Sequence, residues 1–213
     1  MHVAPLTGED IMVAAATANN TSAGADGLLP QDLKLMTPNA ANMLARLLNS
    51  IECLGKWPDC FRLAKATCLA KTAEQSAFAD PLKQRILVVT HSVYRLWARV
   101  RLGHVEDWVK RWATEDMFAG LPGRSAQEAW YSTTIDIELA FGNTICGGAC
   151  DVFKCFDQIQ RGLLFELLAR SGFPAGVLSA YKDMLDNLSV VNNISGHVGE
   201  PHKHPCGIPQ GDP

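Results

Sequence analysis

The sequence has no long hydrophobic run and no strong excess of charge of either sign. Its longest apolar stretch, Ile11 to Ala18, is half alanine and is far shorter than the roughly 20 residues of a membrane-spanning helix. The N-terminus lacks the basic flank and apolar segment of a signal peptide. The net charge of −3 is not the basic footprint that a nucleic-acid-binding protein normally shows. These absences predict an intracellular protein with no membrane partner.

Paired cysteine motifs are also missing. The seven cysteines are an odd number without Cys-x2-Cys spacing, which favours reduced thiols over a disulfide framework. A zinc-binding module stays open as an alternative, although the spacings fit no paired-ligand pattern. Its candidate ligands are His197, His202, His204 and Cys206, together with Cys146, Cys150 and Cys155.

In the first half of the chain, the sequence predicts two strands and several helices with clear end signals. Thr7 opens a capping box before an alanine-rich helix, and a second helix runs from Thr37, as N-cap, to Gly55. Residues 62–71 and 84–90 have strand composition. Two helices are expected over 91–114.

The second half predicts a similar mixture. A helix begins after Ser125, and a strand is expected at 147–153. Asp157 is then expected to cap a helix, and Pro174 to open the next one. A hairpin begins at Ser189. Because helices and strands mix without strict alternation, the fold class expected is α+β.

Basic and aromatic residues concentrate in one stretch, 83–112, which we call the basic–aromatic stretch. It contains seven basic residues and two acidic ones, which gives a net charge of +5 in thirty residues. The stretch also carries Tyr94, Trp97, Trp108 and Trp112. Either it is a nucleic-acid-binding face that contacts phosphates, or its rings are core residues with cations at their rim.

Two short motifs carry the candidate chemistry. The first, Asp151-Val-Phe-Lys-Cys-Phe-Asp157, places a carboxylate at the end of an expected strand, where it suits Mg²⁺, a cation that prefers oxygen ligands. The second, Gly207-Ile-Pro-Gln-Gly-Asp-Pro213, is a glycine- and proline-rich loop in which Gln210 offers both a donor and an acceptor. Separately, each motif also fits an ordinary cap or turn.

Together these motifs resemble those of reverse transcriptases of the non-LTR retrotransposon type. The resemblance covers residues 24–213. Further elements that match are Gly24-Ala-Asp-Gly27, Lys71 at the end of a strand, Arg85-Ile86, Tyr94-Arg-Leu96 and Leu121-Pro-Gly-Arg-Ser125. The resemblance implies an RNA-directed DNA polymerase domain, a nucleotidyltransferase whose partners are an RNA template, a DNA primer and deoxynucleoside triphosphates.

The resemblance also implies roles for individual residues. Asp151 is the catalytic residue and, with the Val152 carbonyl, the ligand of two Mg²⁺ ions. Five residues are implied to bind the nucleotide: Lys71, Arg85, Phe156, Gln210 and Gly211. Among them Lys71 and Arg85 would contact the triphosphate, and the Phe156 ring would exclude a ribose 2′-hydroxyl. Ordinary surface cations and a core aromatic are the alternatives for these three.

The implied fold is the fingers and partial palm of a right-hand polymerase. Residues 1–23 would form an N-terminal extension, 24–142 a fingers-like region and 143–213 a partial palm. The sequence contains no adjacent Asp-Asp pair, which the family places in its next block. We therefore expect a truncated, inactive fragment, and a non-catalytic RNA-binding remnant of a retroelement is the alternative.

Overall fold

A computed structural model describes residues 1–73, 80, 83–194 and 196–211. The chain divides into two units. The first consists of Met1–His104 with Lys154–Pro213, and the second of Val105–Phe153. The predicted α+β class is confirmed, because seven α-helices and a four-stranded mixed sheet make up the described residues.

The helices in chain order are α1 Gly8–Ala16, α2 Pro38–Leu54, α3 Ser92–Trp112, α4 Ala126–Leu139, α5 Cys155–Gln158, α6 Arg161–Arg170 and α7 Ala175–Asn187. The strands are β1 Leu63–Ala70, β2 Gln84–Val89, β3 Ser189–Ile194 and β4 His197–Val198. Two 3-10 turns cover Asp32–Leu35 and Asp59–Phe61.

The end signals of the first two helices act as the sequence predicts. The Thr7 side chain accepts from the Asp10 amide while the Asp10 carboxylate accepts from the Thr7 amide, which completes a capping box before α1. Thr37 caps α2, Pro38 is its first residue, and Gly55 ends it in the left-handed region at φ 63°.

The sheet belongs to the first unit and has the order β2-β1-β3-β4. β1 pairs with β2 antiparallel and with β3 parallel, and β4 returns antiparallel to β3. Strands from the expected fingers region (β1, β2) and the expected palm region (β3) therefore lie in one sheet. The proposed boundaries at 23 and 142 remain predictions.

An aromatic cluster marks the core of the first unit. Trp57 is 2% exposed and makes edge-to-face contacts with Phe61, Tyr94 and Trp97. Its indole nitrogen donates to the Ala180 carbonyl at 3.0 Å. This cluster connects the segment after α2 to α3 and α7. The same core contains buried residues of β1, β2 and β3, so the helices pack against the sheet.

The second unit contains the end of α3 and all of α4. Trp108 and Trp112 contact each other edge to face at 5.5 Å. Ser125 caps α4 by accepting from the Glu128 amide, as the sequence predicts. No residue of α4 is buried.

Three of the expected elements are wrong. Residues 92–112 form one helix rather than two. Gly103, an exposed residue, does not interrupt it, because one glycine costs a helix only about 1 kcal/mol. Asp157 lies inside α5, and α6 begins after Gln160 without any side-chain cap. No strand forms at 147–153.

Candidate functional site

Asp151 lies in an irregular, exposed segment of the second unit. The expected strand fails for a physical reason. Gly147 and Gly148 have low strand propensity, and the described residues of 105–153 contain no other strand to pair with. Val152 and Phe153 are 63% and 71% exposed. The position of Asp151 at a strand end is therefore wrong, while its role stays a prediction.

Phe156 belongs to the first unit, in the short helix α5. Its side chain is 48% exposed, so the alternative of a core aromatic is wrong. The ring is therefore accessible to a ligand. The backbone carbonyl of Phe156 takes part in a separate contact with the second motif.

The second motif forms a loop over 206–211, which we call the glycine-rich loop; Asp212 and Pro213 lie outside the described residues. The Ile208 amide donates to the Phe156 carbonyl at 3.0 Å, and the Gly207 amide donates to the Ile159 carbonyl at 2.8 Å. At its other end, the Gln210 carbonyl accepts from the Val88 amide at 3.0 Å. The loop is thus held between α5 and the edge strand β2.

Gly207 cannot be replaced by a larger residue without movement of this loop. Its φ is 78°, and a Cβ there would lie 2.8 Å from the backbone of both Phe156 and Asp157. A residue with a side chain would meet both the left-handed penalty and this contact. The close approach of the two motifs depends on the missing Cβ.

Arg161 fixes the loop from a third side. Its guanidinium donates to the Gly207 carbonyl and to the Leu185 carbonyl, each at 2.6 Å. A single planar fork therefore ties the loop to the end of α7. The sequence did not predict this role of Arg161, since a lone arginine after a short helix carries no recognisable signal.

A pocket of about 310 Å³ opens where these elements meet, within the usual size of small-molecule sites. Its polar lining includes Lys154, Asp157, His204 and Gln210, and Ile86 and Val88 are among its apolar residues. The pKa of His204 is lowered, mainly by burial and further by His202 and Arg161, while Asp157 acts in the opposite direction. His204 is therefore biased toward its neutral form.

Lys71 and Arg85 lie at the end of the β1–β2 hairpin. Arg85 is opposite Leu69 near the end of β1. Lys71 directly follows β1, and its amide donates to the Lys83 carbonyl at 2.9 Å. Both side chains are exposed, so the two cations lie at the same end of the strand pair, and their contact with a triphosphate stays a prediction.

The basic–aromatic stretch has largely structural contacts. Trp97 and Trp108 are 2% and 7% exposed, which confirms them as core residues, whereas Trp112 is 48% exposed. Arg101 is buried and forms an ion pair with Glu52. Its guanidinium supports α2 and is not available to a template.

The Gly24-Ala-Asp-Gly27 element is hydrogen-bonded to the first residue of α3. The Asp26 carboxylate accepts from the Ser92 amide at 2.7 Å. A Cβ on Gly24 would lie 2.5 Å from the Thr90 carbonyl oxygen. Burial lowers the pKa of His91, against the opposing influence of Asp26. His91 Nδ1 lies 3.2 Å from the Asp26 carboxylate and 3.2 Å from the Val93 amide.

The residues described do not supply a complete metal site. No group of three or more His, Cys, Asp or Glu side chains among them is placed to hold a metal ion. One exposed carboxylate does not fit a two-metal centre, so we derive no step through Mg²⁺. The Mg²⁺ site at Asp151 and Val152 and the alternative zinc site stay predictions.

Within the part of the chain that the structure describes, none of the helices has the length and apolar character needed to cross a membrane. No family model matches the chain, and no curated protein matches it.

Proposed function

We propose that this chain is a reverse transcriptase domain of a retroelement, with the fingers and part of the palm of a right-hand polymerase. Its partners would be an RNA template, a DNA primer and deoxynucleoside triphosphates. The observation that carries the proposal is the backbone contact of the two motifs, in which the Ile208 amide donates to the Phe156 carbonyl at 3.0 Å. Motifs that are distant in sequence but joined in space are typical of one site.

The hairpin cations support the same proposal. Arg85 would hold triphosphate oxygens through its planar fork, and Lys71 would act as a point charge. Both lie on the hairpin whose strand β2 also binds the glycine-rich loop at Val88. A triphosphate at the hairpin would therefore have Gln210 and Gly211 in the adjoining loop.

Phe156 would select the sugar. Its half-exposed ring stands on α5, directly joined to the glycine-rich loop, and it would exclude a 2′-hydroxyl by its volume alone. This role needs no proton transfer and no charge. Gln210 and Gly211 would pack beneath the nucleotide and the template base.

The test is the binding of a deoxynucleoside triphosphate, complementary to the next template base, to the full chain saturated with an RNA–DNA hybrid. Binding is measured by isothermal titration. The double variant Lys71→Ala with Arg85→Ala should weaken it at least tenfold, because both cations that would hold the triphosphate are removed. Arg46→Ala, which removes an exposed arginine from α2, should leave it unchanged.

Unchanged triphosphate binding in the double variant would contradict the proposal. A non-catalytic RNA-binding remnant is the second candidate, favoured by the irregular, exposed segment in which Asp151 lies. The remnant would bind RNA and the hybrid alike and would show no preference for deoxynucleotides. The reverse transcriptase proposal expects that preference, with Phe156→Ala reducing it.

A further inference from the structure

A second pocket of the first unit lies away from the hairpin cations and has its own chemistry. It measures about 400 Å³ and is bounded by residues 18–22, β2 and the first turns of α3. Its apolar lining includes Leu33, Leu87 and Leu96, and its uncharged polar lining includes Asn19, Thr21 and Ser22. Among the described residues that line it, the charged ones are Arg95 and Arg99, and none is acidic.

Arg95 is fixed in place by neutral groups. Its guanidinium donates to the Thr21 hydroxyl and the Ser22 carbonyl, each at 3.1 Å, and to the Ser92 hydroxyl at 3.0 Å. Its Nε is buried and has no hydrogen-bond partner among the described residues. Burial lowers the pKa of Arg95, against the opposing effect of Asp26. The Arg95 guanidinium is therefore held in one position, and its positive charge is only partly balanced by nearby negative charge.

Arg99 lies one helical turn further along α3, so both guanidiniums project from the same face of the helix. One of its terminal nitrogens donates to the Thr17 carbonyl at 2.8 Å, and its side chain is exposed. Neither arginine has an ion-pair partner among the described residues. Asp26 is the nearby carboxylate that acts on Arg95. One carboxylate against two guanidiniums leaves this region net positive.

We propose that this pocket, the arginine pocket, binds a nucleoside phosphate, either a free nucleotide or one unit of a single strand. Arg95 uses three N–H donors within the protein and Arg99 uses one. The donors that remain, most of them on Arg99, suit a phosphate, which has three acceptor oxygens. The nucleoside would pack on the apolar wall, with hydroxyl and amide side chains for sugar and base edges. The pocket shares Gly211 with the proposed polymerase site, but Lys71, Arg85 and Phe156 do not line it, so variants of its two arginines test it separately.

The experiment is isothermal titration of the full chain with adenosine 5′-monophosphate (AMP). We expect binding that Arg99→Ala weakens at least tenfold and that Arg46→Ala leaves unchanged. Arg99 is the variant of choice because it is exposed and makes one protein hydrogen bond, whereas Arg95 also holds residues 21–22 in place. Arg95→Lys is the second variant and should also weaken binding, because an ammonium cannot reproduce the fork.

Further titrations define the ligand. Adenosine, inorganic phosphate and hexanoate should each bind at least tenfold more weakly than AMP, because each lacks one part of the proposed contact. A five-residue oligoadenylate distinguishes the sources: binding that is tighter than that of AMP and is weakened by Arg99→Ala identifies a strand, and weaker binding identifies a free nucleotide. The proposal is overturned if AMP does not bind, if Arg99→Ala binds it normally, or if hexanoate binds equally well. These outcomes leave the triphosphate-binding test at Lys71 and Arg85 unaffected.

Discussion

Gly207 shows how much of the candidate site depends on one residue. The glycine-rich loop approaches α5 so closely that a Cβ at this position would lie 2.8 Å from backbone atoms of Phe156 and Asp157. Those atoms cannot rotate away as a side chain can. The loop therefore reaches its hydrogen bonds with Phe156 and Ile159 only when this residue is a glycine.

Gly207→Ala should lower the free energy of unfolding by about 3 kcal/mol, since the left-handed backbone costs about 1–2 kcal/mol and overpacking about 1–3 kcal/mol. The midpoint of urea unfolding, followed by tryptophan fluorescence, measures this. Gly196→Ala is the matched control. Gly196 has φ 86°, but a Cβ added there would meet no described atom within 4 Å, so it should lose only the backbone part. Equal losses in both variants would show that the contact with α5 does not matter.

At the scale of elements, the sequence predicts the ends of the helices well and the candidate site only in part. Thr37, Pro38 and Gly55 act through local hydrogen bonds and backbone preferences that the sequence carries by itself. The strand at 147–153 was not predictable in the same way, because a strand needs a partner and the sequence does not state which segment supplies it. The roles of Arg161 and Glu52 are not predictable from the sequence for a similar reason, since their hydrogen-bond partners are distant in sequence.

The buried pair between α2 and α3 gives the prediction at this scale. Glu52 accepts from Arg101 Nε and from an Arg101 terminal nitrogen, each at 2.6 Å, and from the Trp97 indole at 2.7 Å. Glu52→Gln should cost about 3 kcal/mol of stability, because it leaves a buried guanidinium without its counter-charge.

Thermal and urea unfolding of this variant and an exposed-pair control test the prediction. Glu106→Gln removes one partner of an exposed pair with Lys110 and should cost at most about 1 kcal/mol. If Glu52→Gln were as mild as Glu106→Gln, the ion pair would not be what joins α2 to α3.

At the scale of the whole molecule, the cations of the basic–aromatic stretch have three different environments. The basic–aromatic stretch has a net charge of +5, which by composition alone suggests a nucleic-acid-binding face. In the structure its charges are divided: Arg101 is buried in an ion pair, Arg95 and Arg99 line the arginine pocket, and Arg85 stands exposed on β2. A composition count cannot make this division, because it depends on which cations the fold pairs internally.

The most direct test of the proposed polymerase function is photocrosslinking of a template–primer hybrid to the full chain. The hybrid carries 4-thiothymidine at the 3′ end of the DNA primer, and crosslinked peptides are mapped by mass spectrometry. The proposal predicts crosslinks in the glycine-rich loop (206–211) and in α5, beside Phe156, that an excess of unlabelled hybrid removes. Crosslinks confined to α2 and α6, with none in the loop or α5, would contradict it.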